Sequence, residues 1–383
     1  MINKKYLQKF SSIQTPFYFY DLDVLRSTLD SMKKESNLTG FEVHYALKAN
    51  PNPRILKLIA SYGFGADCVS GNEVAAALDA GFSNSKIVFA GVGKNDREIE
   101  FGLRSDIFCF NCESIPEIEV ISEIASKLGK TARIALRINP YIDAHTHKYI
   151  TTGIEESKFG INTWELDDVV KKLETLSNIK LIGIHFHVGS QITRMSVFKS
   201  LCTKVNELQE WFSEHNCELQ VINVGGGLGI DYEDPENNPR FREYFSLLKE
   251  FIQLKPGQKL HTEPGRSIIG QCGSLITRVL YIKKGSNTTF AIVDAGMTDL
   301  IRPALYQAKH KIENLSSAGP VEKYDVVGPI CESSDTFGKL IELPESKRGD
   351  FLALRSAGAY GEAMASRYNL RNLPESVFSD DLK

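Results

Sequence analysis

The chain has 383 residues, enough for about two domains of ordinary size. Hydrophobic residues make up 42% and charged residues 24%, which excludes disorder, collagen and coiled coil as readings of the whole. With 45 Lys+Arg against 48 Asp+Glu the net charge is −3, so there is no electrostatic case for nucleic acid or a membrane surface as partner.

In chain order, Pro16–Tyr20 reads as a strand and Val24–Lys34 as a helix. Eight apolar runs rich in β-branched and aromatic residues follow: Val43–Leu47, Phe64–Asp67, Lys86–Ala90, Ile107–Phe110, Arg133–Ile138, Leu181–Val188, Gln220–Gly225 and Lys259–Glu263. Almost every gap between them holds one helical pattern. Ser70 with Glu73, Ser114 with Glu117 and Asn162 with Glu165 each place a capping oxygen three residues before a Glu. Strands alternating with helices pair in parallel, and the count of eight favours a closed (β/α)8 barrel over an open doubly wound sheet. After about Gly270 the rhythm changes. Ser274–Ile282, Thr289–Asp294, Tyr324–Val327, Phe337–Leu343 and Asp350–Ala357 read as strands with little helix between them. The expected fold class is therefore α/β: a TIM-like barrel over 36–270, plus an antiparallel β domain over 1–35 and 271–383 that the first strand completes.

Seven scattered cysteines argue against a disulfide framework and for a reducing, cytoplasmic location. Met1–Phe10 is polar and lacks the apolar stretch of a signal peptide. Cys109 and Cys112 form a C-x-x-C inside a strand-like run and read as two buried thiols. Trp164 and Trp211 read as packing residues, and Asp231–Asn238 as a solvated acidic loop.

Chemistry in such barrels gathers at the C-terminal ends of the strands. The first strand ends in His44-Tyr45-Ala46-Leu47-Lys48-Ala49-Asn50. Lys48 is either a snorkelling rim lysine or an amine able to form a Schiff base. The sixth ends in His185-Phe186-His187-Val188-Gly189-Ser190-Gln191, where the two histidines could be a metal pair or a support for a planar ligand. A second His-x-His, His145 and His147, keeps the metal reading open. The seventh ends in Gly225-Gly226-Gly227-Leu228-Gly229, a backbone cradle for an anion or simply a tight turn. The eighth ends in Glu263-Pro264-Gly265-Arg266-Ser267. Together these supply what pyridoxal phosphate needs: an amine, donors for a phosphate and a carboxylate for the ring nitrogen.

These four segments resemble the signature segments of the fold-type III pyridoxal phosphate decarboxylases, and the likeness runs from Pro16 to about Asn369. Arg137–Gly160 with Lys158-Phe159-Gly160, Asp294–Met297, Arg302–Tyr306 and Gly328–Asp335 are similar to the diaminopimelate branch, with Glu332 in place of the Asp usual in the ornithine branch. Asn72 departs from the family's usual Gly at a helix start. The resemblance implies pyridoxal 5'-phosphate as cofactor and no metal. It implies decarboxylation of meso-2,6-diaminopimelate to L-lysine, the last step of bacterial lysine synthesis. Lys48 would carry the cofactor, His187 would stack on its ring, and Glu263 would pair with the ring nitrogen. Ser190, Gly225, Gly226, Gly227, Gly265, Arg266 and Tyr360 would complete the cofactor site. Arg266, Arg302, Tyr306, Glu332 and Tyr360 would bind substrate, and Cys331 would donate the proton that replaces CO2. Cys331 and Glu332 would reach the partner's site in an obligate homodimer. The alternatives are a sister enzyme acting on ornithine, arginine or carboxynorspermidine, a zinc hydrolase, and a non-catalytic binding protein.

Overall fold

The computed structural model describes residues 5–142 and 158–382. The chain divides into two compact units. One comprises Leu29–Gly229 and Arg240–Gly265; the other comprises Met1–Thr28, Ile230–Pro239 and Arg266–Lys383.

Sixteen strands carry the architecture of the described residues. The first, β1, is Phe17–Tyr20. The barrel unit holds β2 (Glu42–Ala46), β3 (Gly65–Cys68), β4 (Ile87–Phe89), β5 (Cys109–Cys112), β6 (Ala132–Arg137), β7 (Ile179–His185), β8 (Val221–Asn223) and β9 (Lys259–Thr262). Each pairs in parallel with the next, and β2 pairs with β9 to close the barrel, Glu42 opposite His261 and Val43 opposite Thr262. Each of the eight overlaps one of the eight apolar runs of the sequence. Strands buried on both faces need continuous apolar character, which is why they are legible.

Helix starts follow the capping chemistry. The Ser70 and Ser114 hydroxyls accept from the backbone N–H of Glu73 and Glu117, and the N–H of Asn162 donates to the Glu165 carboxylate. A fourth box, Asn95 with Glu98, is reciprocal: each side chain accepts from the other's backbone N–H. The helix read at Val24–Lys34 spans Leu22–Thr39.

The second unit holds β1 with β10 (Gly273–Lys284), β11 (Thr289–Val293), β12 (Ile312–Asn314), β13 (Val321–Val327), β14 (Thr336–Pro344), β15 (Phe351–Leu354) and β16 (Glu375–Phe378). The order is β12-β15-β10-β11-β13-β14, and β1 lies between β10 and β16. The sheet is mostly antiparallel. Two pairs depart from the antiparallel expectation: β11 with β13 and β1 with β16 run parallel. Two short strands, β12 and β16, had no sequence counterpart. An aromatic core fastens β1, where Phe10 meets Phe17, Phe19 and Phe351 edge-on in one buried cluster that includes Ile276. Each such ring contributes on the order of 2–3 kcal/mol by leaving water. Among the described residues no helix is long and apolar enough to cross a membrane.

Candidate active site

Lys48 sits on a single 3-10 turn, Leu47–Ala49, directly after β2. Its ammonium lies 3.2 Å from Oδ2 of Asp67, the penultimate residue of β3. Gly265 packs against this turn: a Cβ there would meet Ala49 at 3.0 Å and Ala46 at 3.2 Å.

Glu263 follows β9 and is buried. Oε2 accepts from His185 Nε2 at 2.9 Å; Oε1 accepts from Asn223 Nδ2 at 2.7 Å and Asn111 Nδ2 at 3.3 Å. Burial alone would raise this carboxyl. His185 and Lys48 outweigh it and hold Glu263 well below the usual carboxylate range. Asp67 goes the other way, raised by burial and by the charge of Glu263. Two carboxylates near one amine are thus pushed apart, a pattern typical of functional sites.

The two histidines of the sixth segment separate in role. His185 ends β7 and is spent on Glu263, while His187 lies beyond the strand, its ring pushed to the neutral form by burial and by the charges of Lys48 and Arg137. His145 and His147 lie outside the described residues. Among the described residues no three His, Cys, Asp or Glu side chains converge as metal ligands. Cys109 and Cys112 are buried on β5, and burial pushes both thiols up.

The glycine run is demanded by close packing. A Cβ at Gly225 would lie 2.1 Å from the Phe186 carbonyl, and one at Gly226 would lie 2.2 Å from the Glu263 carbonyl. The N–H of Gly225 donates to Asn223 Oδ1, but those of Gly226 and Gly227 find no acceptor among the described residues. Two donors without an acceptor at the strand ends suit a phosphate. With Lys48 and an ionised Glu263 on the same unit, the donor set fits pyridoxal phosphate. Ser190 follows β7 in the same group of strand ends.

Polar supports that the sequence reading missed complete this unit. Arg137 Nη1 donates to Glu113 at 2.7 Å, and the N–H groups of Gly160 and Gly91 donate to the same carboxylate. Arg137 also covers the Phe159 ring, so the Lys158-Phe159-Gly160 segment is tied here. The buried Lys94 ammonium meets Glu117 at 2.6 Å.

The second unit holds its own cluster. Arg266 donates to the Tyr232 hydroxyl at 2.7 Å and lies over the Tyr360 ring at 4.8 Å. Arg302, buried, lies over Tyr232 at 5.5 Å and Tyr306 at 5.9 Å. Tyr232 comes from the acidic stretch read as a solvated loop. That stretch is solvated at Glu233, Asp234 and Glu236, as read, and is also anchored within this unit, where Gln271 donates to the Pro235 and Asn237 carbonyls. His310 meets Tyr232 edge-on at 5.0 Å. Cys331 and Glu332 are exposed: the Cys331 N–H donates to Asn369 Oδ1, and Glu332 accepts from the Tyr368 hydroxyl at 2.8 Å. Their loop is shaped by Asp335, whose carboxylate accepts from the N–H groups of Met297 and Ile330.

Residues 22–270 match the family model described as pyridoxal-dependent decarboxylase, pyridoxal binding domain. A diaminopimelate decarboxylase of Bacteroides thetaiotaomicron is 57% identical over 379 residues, covering 98% of both chains. That of Helicobacter pylori strain J99 is 43% identical over 96% of this chain and 90% of its own. A crystal structure of diaminopimelate decarboxylase from Helicobacter pylori complexed with L-lysine superimposes with a TM-score of 0.92 at 41% identity, covering 97% of this chain and 94% of that one. The chain therefore belongs to the pyridoxal-dependent decarboxylase family, in its diaminopimelate decarboxylase branch.

Proposed function

We propose that the chain decarboxylates meso-2,6-diaminopimelate to L-lysine and CO2 with pyridoxal 5'-phosphate as cofactor. The observation that carries this is likeness along nearly the whole chain to a diaminopimelate decarboxylase, 57% identical. When bound, the cofactor supplies an electron sink for the charge left on carbon as CO2 departs.

The residues then divide the work. Lys48 holds the cofactor covalently, and Asp67 keeps its amine in place. Glu263, held in its ionised form, would accept a hydrogen bond from the N–H of the cofactor's ring, and Asn111, Asn223 and His185 fix its orientation. His187, kept neutral, presents a ring face. Ser190, Gly225, Gly226, Gly227, Gly265, Arg266 and Tyr360 are assigned to the phosphate and its surroundings. Arg266, Arg302, Tyr306 and Tyr360 are assigned to the carboxylate that the substrate keeps. Their guanidinium charges suit an anion, and a bidentate clamp would reject a substrate lacking it. Glu332 is assigned to the distal ammonium, and Cys331 to returning a proton to carbon. The exposure of both on a single chain supports a homodimer in which a second copy uses them. The labour divides between a cofactor-binding barrel and a β domain, with the sequence-based bounds of 36–270 against 1–35 and 271–383 replaced by Leu29–Gly229 with Arg240–Gly265 against Met1–Thr28, Ile230–Pro239 and Arg266–Lys383.

The test is direct. Purified holoenzyme should be coloured, borohydride should fix the label on Lys48, and Lys48→Ala should lose both label and measurable turnover. Faster CO2 release from ornithine than from meso-diaminopimelate would overturn the substrate; a label on another lysine would overturn the site.

A further inference from the structure

The barrel has a second opening. At the N-terminal ends of the strands, opposite Lys48 and Glu263, lies a cavity of about 330 Å³. Glu42 begins β2 and Lys259 begins β9 at its rim, and its lining includes His44, Lys86, Phe108 and His261. That volume falls in the range of small-ligand sites, roughly 300–1,000 Å³.

Its floor is a pair of stacked imidazoles. His44 Nε2 lies 2.8 Å from His261 Nδ1, and His44 Nδ1 lies 3.0 Å from the Lys86 carbonyl. Gly65 makes room for this: a Cβ there would meet His44 Nδ1 and the Lys86 carbonyl, both at 2.4 Å. The protons can be placed by elimination. A carbonyl only accepts, so His44 Nδ1 carries a hydrogen. Burial lowers both imidazole pKa values, so both rings are neutral at pH 7. His44 Nε2 is then an acceptor, and His261 Nδ1 must donate to it. The remaining nitrogen, His261 Nε2, bears a lone pair and has no partner among the described residues. It belongs to a side chain that is 4% exposed and lines the cavity. Facing the cavity, this lone pair is an acceptor that a donor on a bound molecule can reach.

The rim shows what else the donor should carry. Lys86 donates to Glu42 at 3.2 Å and to the Gly63 carbonyl at 3.1 Å, so its charge is answered. Lys259 has no carboxylate partner among the described residues. Phe108 stacks on His261 at 5.4 Å and offers an aromatic wall.

We propose that this cavity is a second small-molecule site, for a small α-amino acid whose carboxylate meets Lys259 and whose ammonium N–H meets His261 Nε2. The cavity opens where β2 and β9 begin, at Glu42 and Lys259, while His44 and His261 stand within the strands, His261 two residues before Glu263.

The test uses holoenzyme of the full chain and two probes that cannot condense with an aldehyde. N,N-dimethylglycine keeps a carboxylate and one N–H; betaine keeps the carboxylate and has none. With 15N-labelled histidine, dimethylglycine should shift the His261 Nε2 resonance saturably and betaine should not. Lys259→Met should weaken dimethylglycine binding by about tenfold or more, the scale of one charge-assisted hydrogen bond, and leave turnover of meso-diaminopimelate unchanged. No saturable shift, an equal response to betaine, or unaltered binding by Lys259→Met overturns the proposal.

Discussion

In the barrel unit two buried carboxylates are answered by donors of the same unit: Glu263 by His185, Asn111 and Asn223, and Glu113 by Arg137 and two backbone N–H groups. In the β unit, the buried Arg302 guanidinium lies instead on the rings of Tyr232 and Tyr306, with no carboxylate partner among the described residues. Carboxylates held by fixed donors keep their ionisation and orientation whatever arrives. A guanidinium held by aromatic faces is positioned, yet its in-plane donors stay available for a carboxylate. Under the proposed function the first arrangement would tune a cofactor and the second would receive an anion.

Glu263→Gln attacks the first arrangement hardest. It keeps the shape and removes the charge, and kcat should fall by about 10²–10³-fold, as when a preorganised electrostatic group is lost. A change below about threefold would show that the three donors serve packing alone. Arg302→Met attacks the second. KM for meso-diaminopimelate should rise about 10–100-fold with a smaller change in kcat, and an unchanged KM would remove Arg302 from the substrate site.

His310 sharpens the contrast through pH. Burial and the charge of Arg302 push its pKa down from 6.5 to about 3. The folded state therefore binds this proton more weakly than the unfolded chain. The stability it contributes is complete above about pH 6.5 and is lost as pH falls toward 3, by up to about 1.4 kcal/mol per pH unit. Urea midpoints measured across that window should fall less steeply for His310→Gln than for the parent; parallel curves would refute the linkage. The smallest effect belongs to neither cluster. Asn95→Ala removes half of a capping box and should cost about 1 kcal/mol in stability with turnover unaltered. A loss of turnover would mean that the helix Asp96–Arg104 bears on the site.

The barrel strands were legible because burial on both faces leaves an unbroken apolar signature. β12 and β16 were not, since Ile-Glu-Asn and Glu-Ser-Val-Phe are short and half polar. Among site residues, those marked by unusual chemistry at a strand end stood out: Lys48, His187, the glycine run and Glu263. Their supports did not. Asp67 and Asn223 are ordinary polar residues inside apolar runs and Asn111 lies just past one, though a buried polar group near the end of a strand is itself a signal. Tyr232 was hidden by its acidic neighbours, whose charges suggest solvent while Gln271 and Arg355 anchor the segment from within the unit. The His44–His261 pair requires the closure of the barrel, since β2 and β9 are joined only there.

The position of β1 between β10 and β16 has a consequence for how the protein is made. Tyr20 and Gly273, which pair, are about 250 residues apart in the sequence. At a ribosomal pace of about 5–20 residues per second, the Phe-Tyr-Phe-Tyr strand waits some tens of seconds for its first partner and longer for its second. The barrel strands find their neighbours as they emerge. Nascent chains stalled before residue 273 should therefore hold a formed barrel and a sticky aromatic strand, a natural client for a chaperone at the tunnel exit.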